Sequence, residues 1–374
     1  MSNQLPFKDI SGCAISGVMS EEGRRFSGER IIASIANMHD RSNGLGGGFA
    51  AYGIYPDHAD HYAFHIMCDH SRAKREAEDV LSRRCLVHHD EAMPTRPLEC
   101  IKDRPVLHRY FLSVKQEELE QNYDLSEEDI VVEVVMEINA GVEGAFVFSS
   151  GKNMGVFKGV GYPEDIGRFF RLDEYQGYLW TAHGRFPTNT TGWWGGAHPF
   201  ALLGWSVVHN GEISSYGINR RYLANFDYHC TLQTDTEVVC YVFDLLVRKH
   251  GLPLEVACMA MAPPFWSDIE RMPERRRKLA RTMRQVYGGA LLNGPFSVVV
   301  GHNTGMIALN DRIKLRPMVA ARHDDMLYVA SEEAAIRVIC PAPDRLWQAR
   351  GGEPIIGELK EKSYAGTREK EMAH

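Results

Sequence analysis

Short apolar runs alternate with charged segments along the whole chain. After Gly12, the run CAISGVM is short and apolar, which predicts a buried strand. Apolar residues then recur with helical spacing behind Ser27, which can cap a helix, at Ile31, Ile32, Ile35 and Met38. The start of the chain therefore predicts a strand followed by a helix.

The same two patterns predict most of the remaining elements. Strands are predicted at 44–55, 61–67, 106–114, 177–186 and 205–212, and in four short runs between 295 and 331. Helices are predicted at 71–84, from Ser126 onward, at 234–249 and at 266–288. GAFVFSS and MGVFKGV, joined by Gly151-Lys152-Asn153, predict a hairpin. Because antiparallel strands cluster and helices fall in separate blocks, the pattern favours an α+β fold.

Composition narrows the class of protein. The 374 residues suit one large domain or two, and one is favoured; 44% hydrophobic and 24% charged residues are typical of a globular protein. The formal net charge of −7 and the lack of a long basic run disfavour nucleic acid as a partner. No apolar run has the length of a signal peptide or a membrane span, which predicts a cytoplasmic protein.

The eight cysteines include no C-x-x-C pair. The closest two are Cys230 and Cys240, so zinc, iron–sulfur ligation and a disulfide framework are all disfavoured within this chain. We therefore expect no cofactor and no metal here.

Cys13 has two interpretations. A cysteine among small apolar residues, as in KDISGCAISGV, is most often an inert core residue. The alternative is an N-terminal nucleophile whose own α-amine, with a pKa of about 8, acts as general base for the thiol. An amide nitrogen has no available lone pair, so this chemistry requires removal of residues 1–12.

Three other places can carry chemistry, and each also has a simpler explanation. Arg185 in AHGRFPTNT can hold a carboxylate, although most arginines simply lie at the surface. Asn210-Gly211 is typical of a tight hairpin turn but can also form an oxyanion hole. Asp235 in LQTDTEVV, like Thr234, can cap a helix, or it can hold an ammonium group. Together, these residues supply a thiol, a carboxylate receptor, an oxyanion hole and an ammonium receptor, which are the needs of an enzyme that removes the side-chain amide of free glutamine.

At this point the sequence resembles a known family, the class II glutamine amidotransferases, which are N-terminal-nucleophile hydrolases. Within that family it is similar to the glutaminase domain of glutamate synthase. The similarity is carried by HGRFPTNTTGWWGGAHPFALLGWSVVHNGEIS, TDTEVV, VFKGVGYPEDIGRFF and NDRIKLRPMVAARHDDMLYVASEEAA, and it spans about residues 13–355.

The resemblance implies a four-layer αββα sandwich of two antiparallel sheets and hydrolysis of glutamine to glutamate and ammonia. It implies that Cys13 forms a γ-glutamyl thioester, that Arg185 binds the substrate carboxylate and Asp235 its ammonium group, and that Asn210 and Gly211 stabilise the oxyanion. Residues 1–12 are then a leader or possible propeptide, and 13–374 form the amidotransferase domain with an insert at about 56–125.

The family also implies a partner. Its ammonia passes to a synthase domain with FMN and iron–sulfur centres, so we expect a separate flavin-containing subunit, a hetero-oligomer, and neither nucleic acid nor membrane as partners. Trp193 and Trp194 are expected near the active-site mouth. A position in the packed core is an equally good interpretation of both tryptophans.

Two alternatives stay open. Ala14 stands where the family usually has glycine, and a chain that keeps its leader could be a binding and assembly subunit, for example of an N-methylglutamate synthase. An N-terminal-nucleophile hydrolase of another amide is the other alternative, although Arg185 and Asp235 favour a free α-amino acid over a peptide.

Overall fold

The computed structural model describes residues 12–186 and 192–360. Residues 1–11, which make up nearly all of the predicted leader, and residues 187–191 of the 183–214 motif lie outside the described residues. The strands are β1 (Ala14–Ser20), β2 (Phe26–Ser27), β3 (Gly47–Tyr52), β4 (Tyr62–Cys68), β5 (Cys85–Ala92), β6 (Val106–Val114), β7 (Ala145–Ser149), β8 (Met154–Gly159), β9 (Gln176–Gly177), β10 (Leu179–Gly184), β11 (Phe200–Leu202), β12 (Trp205–Gly211), β13 (Phe296–His302), β14 (Gly305–Asn310), β15 (Val319–His323), β16 (Met326–Ala330), β17 (Arg345–Gln348) and β18 (Ile355–Glu358). The helices are α1 (Glu29–Ala36), α2 (Ser71–Arg84), α3 (Gln116–Gln121), α4 (Glu127–Gly141), α5 (Pro163–Phe169), α6 (Tyr216–Ala224), α7 (Asp235–Phe243), α8 (Leu254–Met261), α9 (Trp266–Glu270), α10 (Glu274–Val286) and α11 (Glu333–Arg337).

Two antiparallel sheets lie face to face at the centre. One has seven strands in the order β17-β15-β16-β1-β10-β3-β8, and the other has five in the order β11-β12-β13-β14-β18. Tyr52 of β3 reaches across to β12, where its hydroxyl donates to Ser206 Oγ at 2.7 Å. The ring of the same tyrosine lies against Gly301 of β13, where a side-chain carbon would come within 2.6 Å of it. Every residue of the facing strands β1 and β13 is buried because both sides of each sheet are covered.

Helices cover the outer face of each sheet. α1, α5 and α11 pack on the seven-stranded sheet, and α7 packs on β11 and β12 of the five-stranded sheet with α6 beside it. The order is therefore helix, sheet, sheet, helix, and the predicted four-layer αββα sandwich is confirmed.

A third sheet lies beside the sandwich, in the order β5-β6-β4-β7. Three of its strands and α2 come from the predicted insert at 56–125, while β7 comes from the segment after α4. The capping box at Ser126 and Asp129 begins α4 at the predicted residue.

The predicted hairpin at 145–159 is wrong. β7 pairs with β4 of the four-stranded sheet, whereas β8 pairs with β3 of the seven-stranded sheet. Residues 151–153 do turn the chain, with Asn153 at φ 50°, but the turn connects two sheets instead of two neighbouring strands. Local turn chemistry predicts a reversal of direction and does not determine which strand becomes the partner.

Two segments that were each predicted as one continuous helix are not continuous α-helices in the structure. The segment 266–288 is divided into α9 and α10 because Pro273 disfavours helical geometry at the residue before it. The segment 234–249 begins as α7 and continues as a π-helix over Asp244–Lys249. None of the helices in the described ranges is both long and apolar enough to cross a membrane.

Candidate active site

Cys13 lies where β1 begins, next to the end of β10. Ala14 pairs with Gly184, so Cys13 is beside Arg185, and the backbone N–H of Phe186 donates to Cys13 Sγ at 3.4 Å. Burial raises the pKa of the thiol, and the Phe186 hydrogen bond and the charges of Arg185 and Arg316 oppose that rise without cancelling it. The thiol is therefore protonated at neutral pH, and a reaction at Sγ needs a base.

A second arginine holds the backbone of Cys13. Arg41 donates from Nε and Nη2 to the Cys13 carbonyl oxygen, each at 3.3 Å, and its Nη1 pairs with Glu332 at 2.8 Å. Sequence reasoning missed Arg41, Glu332 and Arg316. Arg316 and Glu332 lie within the motif NDRIKLRPMVAARHDDMLYVASEEAA, but nothing in its pattern relates either residue to Cys13. Arg41 lies outside every quoted motif, so no local signal could have identified it.

Arg185 follows β10 directly, and backbone contacts on both sides fix its position. Its N–H donates to the Gly46 carbonyl at 2.9 Å, and its own carbonyl accepts from the Asn43 N–H and the Ser42 hydroxyl, each at 3.2 Å. A side-chain carbon on Gly46 would lie 3.1 Å from Arg185 Cδ, so the glycine leaves room for the arginine. Burial lowers the pKa of the guanidinium, while the nearby charges of Cys13 and Asp235 act in the opposite direction.

Asn210 and Gly211 form the end of β12. They pair with Ser297 and Phe296 of β13, which comes some 85 residues later, so the prediction of a tight hairpin turn is wrong. Gly211 has φ 142°, and a side-chain carbon there would lie 1.9 Å from the Pro295 carbonyl oxygen, so glycine is required by contact. Asn210 is fully buried, and neither atom of its amide has a hydrogen-bond partner among the described residues.

Asp235 is the first residue of α7, and Thr234 caps that helix by accepting from the Thr236 N–H. Asp235 itself accepts from the Ile213 N–H at 2.9 Å, and its other oxygen lies 3.4 Å from His209 Nδ1. Burial alone would raise the pKa of this carboxyl. The charge and hydrogen bond of His209 and the donors Ile213 and Thr236 outweigh burial and lower the pKa to about 2, so Asp235 is ionised at neutral pH.

Three buried histidines lie beneath these residues. His183 Nε2 donates to the His209 carbonyl at 2.9 Å, which links the two sheets, and His198 Nε2 lies 2.7 Å from the Thr236 hydroxyl. Burial lowers the pKa of His183 to about 3 and that of His198 well below its ordinary value, so both rings are neutral. The apolar pattern of β10 and β12 marks His183 and His209 as core, whereas His198 lies in the segment before β11. None of these patterns carries a signal for the ring contacts.

Lys158 of β8 is another buried cation of the same region. Its Nζ donates to the Gly195 carbonyl at 3.0 Å and lies 4.2 Å from the centre of the Phe200 ring. Burial lowers the pKa of the ammonium to about 7, and Glu237 partly opposes that effect. Burial likewise raises the pKa of Glu237 to about 7.

The two tryptophans have different environments. Trp194 is packed in the core, 6.0 Å from the Phe169 ring centre, whereas Trp193 is partly exposed against Phe146. Both line a cavity of about 610 Å³ with Gly44 and Lys102. The packed-core interpretation therefore applies to Trp194.

The structure brings the predicted site residues together. Cys13, Arg185 and Asp235 lie within range of one another's charges, and Asn210 and Gly211 precede the Ile213 that binds Asp235. The arrangement could hold an amino acid by its two charged groups while a thiol faces its side chain. Within residues 12–186 and 192–360, no group of three or more histidine, cysteine or acidic side chains is placed to hold a metal.

A family model described as "Glutamine amidotransferases class-II" matches residues 51–231. Over these residues the chain belongs to the class II glutamine amidotransferases. The matched segment of this amidotransferase includes Arg185, Asn210 and Gly211, while Cys13 and Asp235 lie outside it.

This chain covers very different shares of the length of its relatives. An uncharacterized protein of Archaeoglobus fulgidus is 51% identical over 99% of this chain and 96% of its own length. A putative glutamine amidotransferase of Methanothermobacter thermautotrophicus is 26% identical over 60% of this chain and 65% of that protein. The glutamate synthase [NADPH] large chain of Bacillus subtilis is 24% identical over 54% of this chain and 14% of that protein.

Proposed function

We propose that this amidotransferase hydrolyses L-glutamine to L-glutamate and ammonia through a thioester on Cys13. The observation that carries the proposal is the position of Cys13 Sγ, which accepts from the Phe186 N–H beside Arg185 and within range of Asp235. An amino acid bound by its carboxylate to Arg185 and by its ammonium group to Asp235 has both charges compensated. A peptide lacks these two free charges, so it would bind poorly.

The first chemical step needs a base for the thiol. Because burial raises the thiol pKa, the surroundings alone do not produce the thiolate. In the proposed mature chain, which starts at Cys13, the free α-amine accepts the thiol proton. The thiolate then attacks the γ-carbonyl carbon of glutamine, and a C–S bond forms as the carbonyl π-bond becomes an oxyanion.

The oxyanion is stabilised by the Asn210 side-chain amide and the Gly211 backbone N–H. Asn210 suits this role because its buried Nδ2 has no partner in the described part of the chain. Collapse of the intermediate breaks the C–N bond, and the α-ammonium returns its proton to the departing nitrogen, which leaves as ammonia. Water then attacks the thioester with the same amine as base, which releases glutamate and restores the thiol.

We further propose that the ammonia passes to a separate subunit carrying FMN and iron–sulfur centres, as in a glutamate synthase. Similarity to a glutamate synthase large chain supports this type of complex. Within this proposal, the partner also holds the iron–sulfur group. The chemistry that it and FMN supply is the reduction that follows ammonia transfer.

Replacing the nucleophile tests the proposal. We expect Cys13→Ala to abolish glutamine hydrolysis in the complex purified with its natural partners. Cys100→Ala, which removes an exposed thiol, should retain full activity. Full activity of Cys13→Ala, or cleavage of a peptide as fast as glutamine, would contradict the proposal.

The mass of the same purified protein tests the maturation step. We expect the mass of residues 13–374, because removal of residues 1–12 exposes the α-amine. If the mass of residues 1–374 is found instead, the chain lacks its base and acts as a binding and assembly subunit.

A further inference from the structure

Helix α10 carries six basic side chains. They are Arg275, Arg276, Arg277, Lys278, Arg281 and Arg284, and they surround the helix. The exposed members Arg275, Lys278 and Arg281 recur three residues apart and share one side of the helix, which we call the basic face. Across the described ranges, no ion pair joins any of these six side chains to an acid. Several cations on other helices are paired, such as Arg72 with Glu76 in α2 and Arg337 with Glu333 in α11. The basic face is thus uncompensated in a chain whose net charge is −7.

Exposed apolar side chains lie among these cations. Leu279 and Val286 are exposed on α10 itself, and Trp266 of α9 is exposed beneath the Arg284 guanidinium, 4.3 Å from its ring centre. Arginine and exposed aromatic residues together are typical of protein–protein interfaces. A surface that served only for solubility would not need the aromatic and aliphatic groups.

The same surface continues to the active site through the segment 311–316. Arg312 lies 4.7 Å above the exposed ring of Phe265, which precedes α9. Ile313 and Leu315 follow with 57% and 56% of their surface exposed. Arg316 ends the segment beside Cys13, where it acts on the thiol charge. A subunit that covered the basic face could therefore also cover Ile313 and Leu315, in the segment that leads to Arg316.

We propose that the basic face, with Arg312, Ile313 and Leu315, is the docking surface for an acidic protein subunit that receives the ammonia. This inference rests on the proposed function. Charge complementarity favours an acidic partner, and the exposed apolar groups favour a protein, since they add contact area that a phosphate backbone cannot use.

Crosslinking in the native complex provides the first test. The full chain, tagged and expressed in the organism that encodes it, is purified with its stoichiometric subunits and treated with a carbodiimide, which joins a lysine amine directly to a touching carboxylate. We expect Lys278 and Lys314 to be linked to acidic residues of the flavin-containing subunit. Recovery of the chain alone would overturn the inference.

Charge reversal provides the second test. Lys278→Glu and Arg275→Glu should each weaken binding of the co-purifying subunit about tenfold or more, with a smaller effect at high salt. Arg75→Glu is the matched control, since Arg75 is an exposed helical cation of α2 without an ion pair in the described residues, and we expect it to bind normally. Unchanged binding by both α10 variants would overturn the inference. The inference would also be overturned if the α10 variants still bound the subunit normally but lost binding to a DNA duplex or to phosphatidylglycerol vesicles.

Hydrolysis of glutamine, measured in the same preparations with Cys13→Ala alongside, separates the two proposals. If hydrolysis depends on Cys13 while the α10 variants dock normally, the docking surface is wrong and the function stands. If docking depends on α10 but hydrolysis does not depend on Cys13, the proposed function is wrong and the interface remains.

Discussion

Asn210 keeps a polar amide fully buried without a hydrogen-bond partner in the described part of the chain. A buried amide without a hydrogen-bond partner costs about 1–3 kcal/mol of folding free energy. This cost is explained best if an atom of a bound ligand forms the missing hydrogen bond. We expect Asn210→Ala to lower kcat for glutamine about 100- to 1000-fold, because one oxyanion donor is lost. Steady-state kinetics measure the change.

Stability provides the second measurement on Asn210→Ala. Because the amide has no partner within residues 12–186 and 192–360, we expect no loss in the free energy of unfolding. Asn303→Ala, which truncates an exposed asparagine, should keep both activity and stability. A large loss of stability with normal kcat would assign Asn210 a structural role.

Asp235 combines a predicted substrate contact with a lowered pKa. We expect Asp235→Asn to raise KM for glutamine about ten- to a hundredfold, because a charged hydrogen-bond partner of the substrate ammonium is lost. The pKa of about 2 also predicts an acid dependence of stability. Since the folded pKa is below the unfolded value, the carboxylate contributes about 2 kcal/mol above pH 4, and this contribution is lost as the pH falls toward 2.

Asp325 is the matched control for Asp235. The hydrogen bond from Arg24 is the main cause that lowers its pKa, also to about 2. Asp325 directly precedes β16 and contacts Ser20, at the opposite end of β1 from Cys13. Asp325→Asn should remove a similar acid-dependent contribution from the unfolding curves while KM stays unchanged. An equal rise of KM in both variants would show that the effect of Asp235→Asn is not specific to binding.

At the scale of elements, Lys158 connects β8 to the segment that leads into β11. Its contact with the Gly195 carbonyl fixes the chain just after the two tryptophans. The fully buried ammonium is costly, which is the reason for its lowered pKa. Lys158 thus fixes the segment before β11 through its hydrogen bond, and its burial makes the free energy of unfolding depend on pH.

The sign of that dependence follows from linkage. Between pH 7 and 10 the unfolded chain binds more protons at Lys158 than the folded one, so stability rises with pH. We expect the native protein to gain roughly 2–3 kcal/mol from this residue between pH 7 and 9.5, and Lys158→Met to lose that gain. Urea unfolding at both pH values measures the difference. Lys152→Met, at a partly exposed position, should retain it.

At the scale of the whole molecule, stability depends on close contact between the two central sheets. Gly301→Ala would place a carbon 2.6 Å from the buried Tyr52 ring, so we expect a loss of about 1–3 kcal/mol. Gly141→Ala, at the end of α4, meets no atom within 4 Å and should be neutral or stabilising. Chemical denaturation compares the two. Equal midpoints would show that the sheets separate easily.

Much of the fold could be predicted from local patterns. The predicted strand at 106–114 and helix at 71–84 have the bounds of β6 and α2, because apolar periodicity and flanking residues act over a few positions. The hairpin at 145–159 and the turn at Asn210-Gly211 were wrong because strand partners are chosen by packing across the molecule. In β12, the positive φ of Gly211 serves close approach to Pro295 instead of a turn.

The sequence by itself determined the elements and the chemical groups: a thiol at Cys13, charges at Arg185 and Asp235, and an amide at Asn210. Tertiary structure alone decided their proximity, the burial that raises the thiol pKa, and the roles of Arg41 and His209. The physical reason is distance along the chain. Arg41 and Glu332 meet across 291 positions, and such contacts depend on the packing of whole sheets, which no local pattern encodes.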